Sequence, residues 1–437
     1  MKVEVVAIGT ELLLGQINDT NSSWIGEQLA LGGLDTHYQT KVGDNQARVV
    51  DVLRLALSRS DAVICCGGLG PTHDDLTRHA IAEVMGADLV RDPVVVDRIT
   101  AMFAARGRVM SVNNLQQADV PVGARTIAQQ PGTAPGLICP VGDKVIYAVP
   151  GVPSEMKEMV AGTIIGDLQQ RAGVTATILS RVLRTWGQSE SGLAEMLAGR
   201  IEDIDAQAGG GHPNPTIAFL ASGIEGIKVR ITAKADTDAA ARAVLEAEEQ
   251  AIRAILGDLI FGVDEETIES VVLQLCREGG LTLAVAESCT GGLIASRLAL
   301  VPGASAVFRG GVVAYDAAVK RSLLGVAPGP VVNEAAVGQM AAGVRRLLGA
   351  DVGYATSGVA GPDDAEDIPP GTVCLAVAIA VPGSDQDRVS TQTVRLPGDR
   401  ARIAQFAAIS ASDLLRRELL RAHAAHAHAH APVPASG

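Results

Sequence analysis

Aromatic residues are scarce in this 437-residue chain, at 3%, although hydrophobic residues make up 47%. A core with so few rings must be built mainly from Ala, Val and Leu, which favours α/β layers over an aromatic-rich β-sandwich. No apolar run is long enough to span a bilayer, and the first residues run directly into a strand pattern instead of a signal peptide. We therefore expect a cytoplasmic protein that does not engage a membrane.

Cysteine spacing typical of zinc sites is also absent. The six cysteines are scattered, and Cys65 and Cys66 are adjacent instead of forming Cys-x-x-Cys, so we expect reduced and buried thiols. The formal net charge of −13 disfavours nonspecific binding of nucleic acid, which needs a basic stripe along the phosphates. A small anionic substrate needs only a local pocket. A chain of this length should form two or three domains.

Histidine is absent between His212 and the C-terminal tail, an interval that holds the most restrictive motif of the chain. This motif, Ala-Glu-Ser-Cys-Thr-Gly-Gly at 286–292, follows an apolar run and precedes a helix-like segment at 293–300. The pattern predicts Ser288 at a strand-to-helix turn, where unpaired N–H groups of the helix start could hold an oxyanion. A Ser-His pair is excluded in this half unless a tail histidine folds back.

A lysine could replace the missing histidine. The strand pattern at 308–315 ends in Tyr315, and Lys320 follows five residues later. A lysine removed from water has a depressed pKa and can accept the serine proton, with the tyrosine hydroxyl relaying or orienting it. We therefore predict Ser288, Lys320 and Tyr315 as catalytic residues. Two alternatives remain: Ser288 and Thr290 only cap a helix beside a solvated lysine, or Cys289 is the nucleophile instead of a small buried hydrophobe.

A third block, Tyr-Ala-Thr-Ser-Gly-Val-Ala-Gly-Pro-Asp-Asp at 354–364 with Pro-Gly-Thr-Val at 370–373, completes a pattern that closely resembles the CinA C-terminal domain. This is the PncC family of nicotinamide mononucleotide deamidases, and the resemblance covers about 267–420. It implies hydrolysis of the carboxamide to nicotinic acid mononucleotide and ammonia without a cofactor, with Ser288 as nucleophile, Lys320 as base and Tyr315 as third member. The implied substrate-binding residues are Thr290, Gly291, Gly292, Gly311, Ser357, Gly358, Gly361, Gly371, Thr372, Arg400 and Arg402.

The N-terminal part predicts strands at 3–8 and 62–66, helices at 22–31 and 45–58, and a glycine loop at 67–77 that opens a helix. Ligands in open α/β sheets gather at such strand ends, and a helix start suits an anion. Asp74 and Asp75 could hold a divalent cation against a pyrophosphate. The alternative is that they only complement a helix dipole.

These loops, with Gly-Thr-Glu at 9–11 and the segments 131–136 and 149–155, are similar to the CinA N-terminal domain. That domain is related to molybdopterin-binding proteins of the MoaB and MoeA type, and its full-length relatives are associated with metal-dependent ADP-ribose pyrophosphatase activity. The resemblance covers about 1–170 and implies release of AMP and ribose 5-phosphate with a divalent ion of the Mg, Co or Mn class. The implied site residues are Glu11, Asp19, Asn21, Gly68, Gly70, Asp74, Asp75, Thr77, Gly132 and Thr133.

Four regions are therefore predicted. A MoaB/MoeA-like three-layer α/β domain at 1–170 precedes a small KH-like α+β linker or dimerisation domain at 171–258. An α/β CinA (PncC) deamidase domain at 259–420 precedes a disordered His/Ala/Pro tail at 421–437. The middle region is predicted to have strands at 177–185 and 226–233, a loop at 209–215 and a long helix at 239–256. It has no basic Gly-x-x-Gly loop, so we expect a spacer or dimer element rather than an RNA binder.

The complete pattern predicts a homodimeric, bifunctional enzyme of pyridine-nucleotide recycling that acts on nicotinamide mononucleotide and ADP-ribose. Cleavage of NAD adducts at the pyrophosphate is a further hypothesis, and no nucleic-acid partner is expected. Two other interpretations stay open: a nucleotide- or pterin-binding regulatory protein with vestigial sites, and a competence-associated protein.

Overall fold

The structure is a computed structural model that describes residues 1–127, 132–173, 177–208, 214–221, 223–381, 383–384 and 386–429. The chain forms two compact units, one of Met1–Leu179 with Lys234–Arg242 and the other of Ser180–Ala233 with Ala243–Gly437. Within the described ranges, no helix is both long and apolar enough to cross a membrane.

The first unit is built on a six-stranded mixed sheet. Its strands are β1 (Lys2–Ile8), β2 (Asp35–Val42), β3 (Ala62–Cys66), β6 (Arg125–Ile127), β7 (Gly136–Val141) and β8 (Lys144–Val149), while β4 (Leu89–Arg91) and β5 (Asp119–Pro121) form a separate pair. Its helices are α1 (Thr10–Leu13), α2 (Thr20–Leu31), α3 (Gln46–Arg59), α4 (Thr77–Met85), α5 (Pro93–Ala105), α6 (Pro153–Met159) and α7 (Ile165–Ala172). The strand order is β2-β1-β3-β8-β7-β6, and the first four strands are parallel.

Apolar side chains cover both faces of this sheet. Val5 and Ile64 pack in one core cluster, whereas their chain neighbours Val6 and Val63 pack in another on the opposite face. Side chains alternate across a strand, so continuous apolar strands bury both faces under helices. The predicted three-layer α/β domain is confirmed here, although the exposed strand β2 was not predicted because its residues are mostly polar.

The strand order of the first unit reverses next to β1. The chain leaves β1 for β2 on one side and then enters β3 on the other side. The carboxyl ends of β1 and β3 therefore flank a topological switch point, which is where open α/β sheets bind ligands. Gly9 follows one of these strands and Gly67 follows the other.

The middle region has a four-stranded sheet of order β10-β11-β9-β12. Its elements are β9 (Thr177–Thr185), α8 (Glu190–Gln207), β10 (Thr216–Ala221), β11 (Ile227–Ala235), α9 (Asp238–Leu256) and β12 (Ile260–Val263). The strands and the long helix predicted from the sequence are present, and α8 and β10 add to them. The loop predicted at 209–215 lies mostly outside the described residues.

The C-terminal part has a five-stranded sheet of order β14-β13-β15-β16-β17, in which β14, β13 and β15 are parallel. Its strands are β13 (Leu283–Glu287), β14 (Phe308–Val313), β15 (Val352–Gly358), β16 (Thr372–Ile379) and β17 (Arg388–Arg395). Its helices are α10 (Ile268–Glu278), α11 (Leu293–Ala299), α12 (Ala317–Leu324), α13 (Glu334–Leu348) and α14 (Arg400–Ala429). Because β14 and β15 lie on opposite sides of β13, a second switch point lies at the carboxyl end of β13.

Two predictions for this part need correction. The strand predicted to end in Tyr315 ends at Val313, so the tyrosine lies in the connection to α12. The tail predicted to be disordered from residue 421 continues α14 as far as Ala429. Alanine has the highest helix propensity, so an Ala-rich segment can extend a helix that already packs on a core. Residues 430–437 lie outside the described part.

Candidate functional sites

Ser288 lies directly after β13, in the turn that leads to α11. Its backbone N–H donates to the Thr356 carbonyl oxygen at 3.1 Å, which joins the turn to the end of the neighbouring strand β15. The Ser288 side chain is largely buried, with 8% of the residue exposed. Ser288 therefore lies at the switch point of its sheet.

Five backbone N–H groups at the start of α11 already donate hydrogen bonds within the protein. The fully buried carboxylate of Glu287 accepts hydrogen bonds at 2.8–3.0 Å from the backbone N–H groups of Gly292, Ile294 and Ala295. The N–H groups of Gly291 and Leu293 donate to carbonyl oxygens inside the turn. These five N–H groups are therefore used inside the protein, and an oxyanion site beside Ser288 stays a prediction. Glu287, which the sequence analysis did not single out, instead fixes the turn that carries Ser288.

Lys320 is a buried amine close to this turn. Only 2% of the residue is exposed, and its Nζ donates to the main-chain carbonyl oxygen of Tyr315 at 2.8 Å. Burial lowers the pKa of Lys320, although electrostatic interactions with Cys289 and with the carboxylates of Asp316 and Glu366 oppose the shift. Among the described residues no carboxylate lies within 4.0 Å of the Lys320 Nζ. Burial without a carboxylate partner favours the uncharged amine, whereas the hydrogen bond to the Tyr315 carbonyl orients the Nζ atom.

Cys289 differs from Ser288 in its electrostatics. Burial raises the pKa of the Cys289 thiol to about 12, even though the charge of Lys320 acts in the opposite direction. A cysteine acts as a nucleophile through its thiolate. The thiol therefore stays protonated at neutral pH, so Cys289 lacks the thiolate of a reactive cysteine and, like Ser288, would need a general base.

Tyr315 contributes differently from the prediction. Its hydroxyl accepts a hydrogen bond from Arg400, and the same guanidinium donates to the Gly361 carbonyl oxygen at 2.5 Å. Tyr315 is 56% exposed. The main-chain carbonyl of Tyr315, and not its hydroxyl, therefore orients Lys320, while the hydroxyl, Arg400 and Gly361 come together at the surface.

Several other predicted substrate-binding residues have structural contacts instead. The Thr290 hydroxyl pairs with that of Thr356 at 2.9 Å, and the Ser357 hydroxyl donates to the Val331 carbonyl oxygen at 2.7 Å. Gly291 and Gly292 adopt positive φ in the turn, and Thr372 begins β16. Close packing restricts three further predicted positions to glycine, because an added Cβ would lie only 2.3–2.8 Å from neighbouring atoms. These positions are Gly311, Gly358 and Gly371.

Arg402 does not join Arg400. Two residues along a helix correspond to a rotation of about 200°, so the two side chains leave α14 on nearly opposite faces. The Arg402 guanidinium lies 5.1 Å from the centre of the Phe406 ring, and both residues line a cleft that also contains Trp186. Arg400 therefore contacts Tyr315, whereas Arg402 lines a different cleft.

The first unit has a cavity of about 550 Å³ at the carboxyl ends of β1, β3 and β8. Eight predicted residues line it: Glu11, Asp19, Asn21, Gly68, Gly70, Asp74, Asp75 and Thr133. Asp44, Gln117 and Glu155 also line the cavity and were not predicted. Of the other two predicted residues, Gly132 lies so close to Glu155 that a Cβ would come within 2.3 Å of its carboxyl carbon. Thr77 is buried and donates to the Gly67 carbonyl oxygen at 2.8 Å.

The Asp75 side chain holds the conformation of the glycine loop in this cavity through hydrogen bonds. One carboxylate oxygen accepts from the Gly70 N–H at 2.7 Å, and the other accepts from the Thr72 N–H and hydroxyl at 2.8 and 2.6 Å. Arg78 is 1% exposed and donates to the carbonyl oxygens of Leu69 and Gly70, and burial lowers its pKa to about 10. Asp75 thus organises the loop, and a buried cation lies behind it.

The two aspartates that are predicted to hold a metal ion have different surroundings. Asp75 is engaged in the loop, whereas Asp74 is exposed, and a hydrogen bond from Thr72 lowers the pKa of its carboxyl group. Within the described ranges, no group of three or more His, Cys, Asp or Glu side chains could hold an ion. The cavity wall therefore fits an ion held by substrate phosphates and one or two carboxylates, and not a cage of protein ligands alone.

Two other predicted residues connect the ends of strands and helices around this cavity. Asp19 accepts from the Ser22 N–H at 2.9 Å at the start of α2 and lies 3.5 Å from the Lys41 ammonium. Asn21 donates to the Gly151 carbonyl oxygen at 2.8 Å, beyond the end of β8. Both residues line the cavity and also fix its shape.

Three family models match the chain along its length. The probable molybdopterin binding domain matches residues 4–170, the damage-inducible protein CinA KH domain matches 180–262, and the CinA C-terminal domain matches 265–419. A CinA-like protein of Frankia casuarinae is 46% identical over 429 residues, which cover 96% of each chain. The chain belongs to the CinA family. The resemblance and the MoaB-like, KH-like and CinA fold classes expected from the sequence are thereby confirmed.

Other members of the CinA family are also similar. A putative competence-damage inducible protein of Thermoanaerobacter pseudethanolicus is 38% identical over 426 residues, which cover 96% of this chain and 99% of that protein. The crystal structure of CinA from Thermoplasma acidophilum, described as a protein of unknown function, is 35% identical with a TM-score of 0.35. That match covers 37% of this chain and 95% of the crystallised chain.

Proposed function

We propose that the C-terminal site of this CinA family member hydrolyses the carboxamide of nicotinamide mononucleotide. The observation that supports the proposal best is the buried Lys320 amine, which has a lowered pKa and lies next to the Ser288 turn. A general base must be largely unprotonated near the working pH, and burial without a carboxylate partner favours that state. Ser288 is the nucleophile in this proposal, and the raised pKa of the Cys289 thiol removes the thiolate through which a cysteine normally competes.

The reaction follows the order of an acyl transfer. Lys320 accepts the Ser288 hydroxyl proton as the oxygen attacks the carboxamide carbon, and the resulting ammonium protonates the departing nitrogen, which leaves as ammonia. Water then attacks the acyl-serine with Lys320 again acting as base, which releases nicotinic acid mononucleotide and restores the serine. Arg400 is the cation nearest to Tyr315 in this region and would pair with the nucleotide phosphate.

The test uses purified protein, nicotinamide mononucleotide and a metal chelator. Ammonia and nicotinic acid mononucleotide should form in equal amounts, and the Lys320→Met variant should lose this activity while keeping its folded circular dichroism spectrum. Absence of product from the folded wild-type protein would overturn the proposal.

We further propose that the N-terminal site hydrolyses the pyrophosphate of ADP-ribose to AMP and ribose 5-phosphate. The supporting observation is a glycine loop at a switch point with the buried Arg78 cation behind it, because such a loop attracts an anion. A divalent ion bound there would neutralise the pyrophosphate and activate a water molecule. Glu11, Asp44 and Asp74 are the acidic residues of the wall from which ligands for such an ion would come.

Product analysis separates an enzyme from a binding protein at this site. AMP should appear from ADP-ribose only when Mg²⁺, Mn²⁺ or Co²⁺ is added, and a chelator should stop the reaction. Cleavage of NAD adducts at their pyrophosphate should show the same dependence. Saturable ADP-ribose binding without turnover under all three ions would instead indicate a regulatory nucleotide-binding domain.

A further inference from the structure

The unit formed by Ser180–Ala233 and Ala243–Gly437 contains a cavity that is separate from the Ser288 site. It has a volume of about 1090 Å³ and lies between the middle region and the edge formed by β17 and α14. Neither Ser288, Lys320 nor Tyr315 lines it. We call it the Trp186 cleft, after the residue that follows β9.

The Trp186 cleft has an aromatic wall. The rings of Trp186 and Phe406 lie with their centres 5.8 Å apart and their planes inclined by 54°, and both residues are partly buried. Trp186 also packs against a cluster of Phe261, Ile268 and Ile409. The chain has only two tryptophans and five phenylalanines, so two rings in one wall form a concentrated stacking surface.

The turn beneath Trp186 is a Gly-x-x-Gly segment. Gly223 and Gly226 both have positive φ, and both line the cleft. A Cβ on Gly226 would lie 2.2 Å from the Thr185 carbonyl oxygen and 3.2 Å from the Trp186 ring. The glycine therefore lets the backbone pass directly beside the indole, which holds the ring in position.

The charge of the cleft is opposite to that of the chain. Arg395, Arg402 and Arg417 line it in a protein of formal net charge −13. In the described part of the chain, neither the Arg395 nor the Arg402 guanidinium has a carboxylate within 4.0 Å, and the Asp399 carboxylate accepts from the Arg402 backbone N–H. Asp413, one of two acidic residues in the lining, is already paired with Arg417 at 3.1 Å and with a neighbouring arginine at 2.8 Å. Arg395 and Arg402 thus carry positive charge with no carboxylate partner, and Arg402 lies against the Phe406 ring. Such groups next to a stacking surface suit an anion that carries a ring.

We propose that the Trp186 cleft binds a purine nucleoside monophosphate, with the base on the Trp186–Phe406 wall and the phosphate on Arg402 and Arg395. Base stacking on aromatic side chains and charge-assisted hydrogen bonds from arginine to phosphate are the two interactions that this lining offers. The volume exceeds the size range of typical small-ligand sites, so a mononucleotide fits with room for water. This binding is independent of the hydrolytic reactions proposed above.

The test uses tryptophan emission in the full-length Trp24→Phe variant, in which Trp186 is the remaining tryptophan. Titration with AMP in chelator should quench the emission with a saturable curve. Adenosine, which lacks the phosphate, and inorganic phosphate, which lacks the ring, should each bind at least 10-fold more weakly.

Matched variants locate the effect. Arg402→Gln should weaken AMP binding by roughly 10-fold or more, and Arg402→Lys should recover part of that loss. Arg388→Gln removes an exposed arginine at the other end of β17 and should leave binding unchanged. Ser288→Ala in the same background should also bind AMP normally, so the result does not depend on deamidase activity.

Three results would overturn the proposal. The first is no AMP-dependent change, and the second is a change that Arg402→Gln leaves intact. The third is an emission change that follows protein concentration and not AMP, which would show that a second copy of the chain covers the cleft. Tight binding of a single-stranded oligonucleotide with no response to AMP would equally replace the mononucleotide with a nucleic-acid partner.

Discussion

Replacing Glu287 with glutamine tests the role of the buried carboxylate next to the nucleophile. The wild-type carboxylate accepts three hydrogen bonds at 2.8–3.0 Å, so both oxygens are in use. A glutamine keeps one acceptor oxygen and turns an NH₂ group towards at least one backbone N–H. That N–H loses its acceptor, and the remaining bonds lose their charge assistance.

The magnitude follows from these losses. One unsatisfied buried N–H costs about 1–3 kcal/mol, and a charged hydrogen bond is worth roughly 1 kcal/mol more than a neutral one. Relief of the buried charge offsets part of this, so we expect a loss of about 2–4 kcal/mol in the free energy of unfolding of this unit. Displacement of the Ser288 turn by about 1 Å would also lower kcat on the order of 100-fold.

The assay is urea unfolding followed by Trp186 emission in the Trp24→Phe background, combined with nicotinamide mononucleotide turnover. The urea concentration at the unfolding midpoint should be roughly 1–2 M lower for Glu287→Gln, if the free energy of unfolding falls by about 2 kcal/mol per M of urea. Glu265→Gln is the control, because the Glu265 side chain is fully exposed. If the free energy of unfolding of Glu287→Gln lies within about 0.5 kcal/mol of that of the control, the reasoning is refuted, since surface substitutions commonly change stability by no more than this.

Three further predictions concern the two proposed sites. The neutral amine of Lys320 is the proposed base, and burial lowers its pKa, so kcat/KM for nicotinamide mononucleotide should rise with pH and level off below the ordinary lysine pKa of 10.5. The Lys320→Arg variant should lose the activity. A flat pH profile of the wild-type protein would contradict this prediction. Arg400→Gln should raise the KM for nicotinamide mononucleotide about 10-fold through the lost phosphate contact, while Arg402→Gln leaves this KM unchanged. Equal effects of the two substitutions in steady-state kinetics would show that the two faces of α14 were misassigned. Asp75→Asn should lower both the thermal stability of the protein and its rate of ADP-ribose hydrolysis. Asp74→Asn should raise only the metal concentration needed for the half-maximal rate. The reverse pattern would mean that Asp74 organises the loop and Asp75 binds the metal ion.

Local sequence patterns were sufficient to place the main elements and the nucleophile turn. Apolar strand runs followed by glycine-rich loops predicted β1, β3 and β13, because buried parallel strands read as continuous hydrophobic segments. The position of Ser288 between β13 and α11 followed from the same spacing. Strand β2 was missed because an exposed edge strand carries polar residues on both faces.

Contacts between distant residues could not be predicted in the same way. The Tyr315 hydroxyl accepts a hydrogen bond from Arg400, which is 85 residues away in the sequence. No local pattern therefore indicates that this hydroxyl contacts Arg400 and not Lys320. A glutamate at a strand end is usually read as solvated, and only the fold shows that Glu287 is buried against the start of α11. The separation of Arg400 and Arg402 was available from helical periodicity, once α14 was known to begin at Arg400.

The most direct test of the deamidase proposal compares Ser288→Ala with Cys289→Ser in nicotinamide mononucleotide turnover, measured as ammonia and nicotinic acid mononucleotide. The account predicts that Ser288→Ala loses turnover and that Cys289→Ser retains most of it, because the Cys289 thiol stays protonated at neutral pH. Loss of turnover in Cys289→Ser with activity retained in Ser288→Ala would contradict the account and make the cysteine the nucleophile.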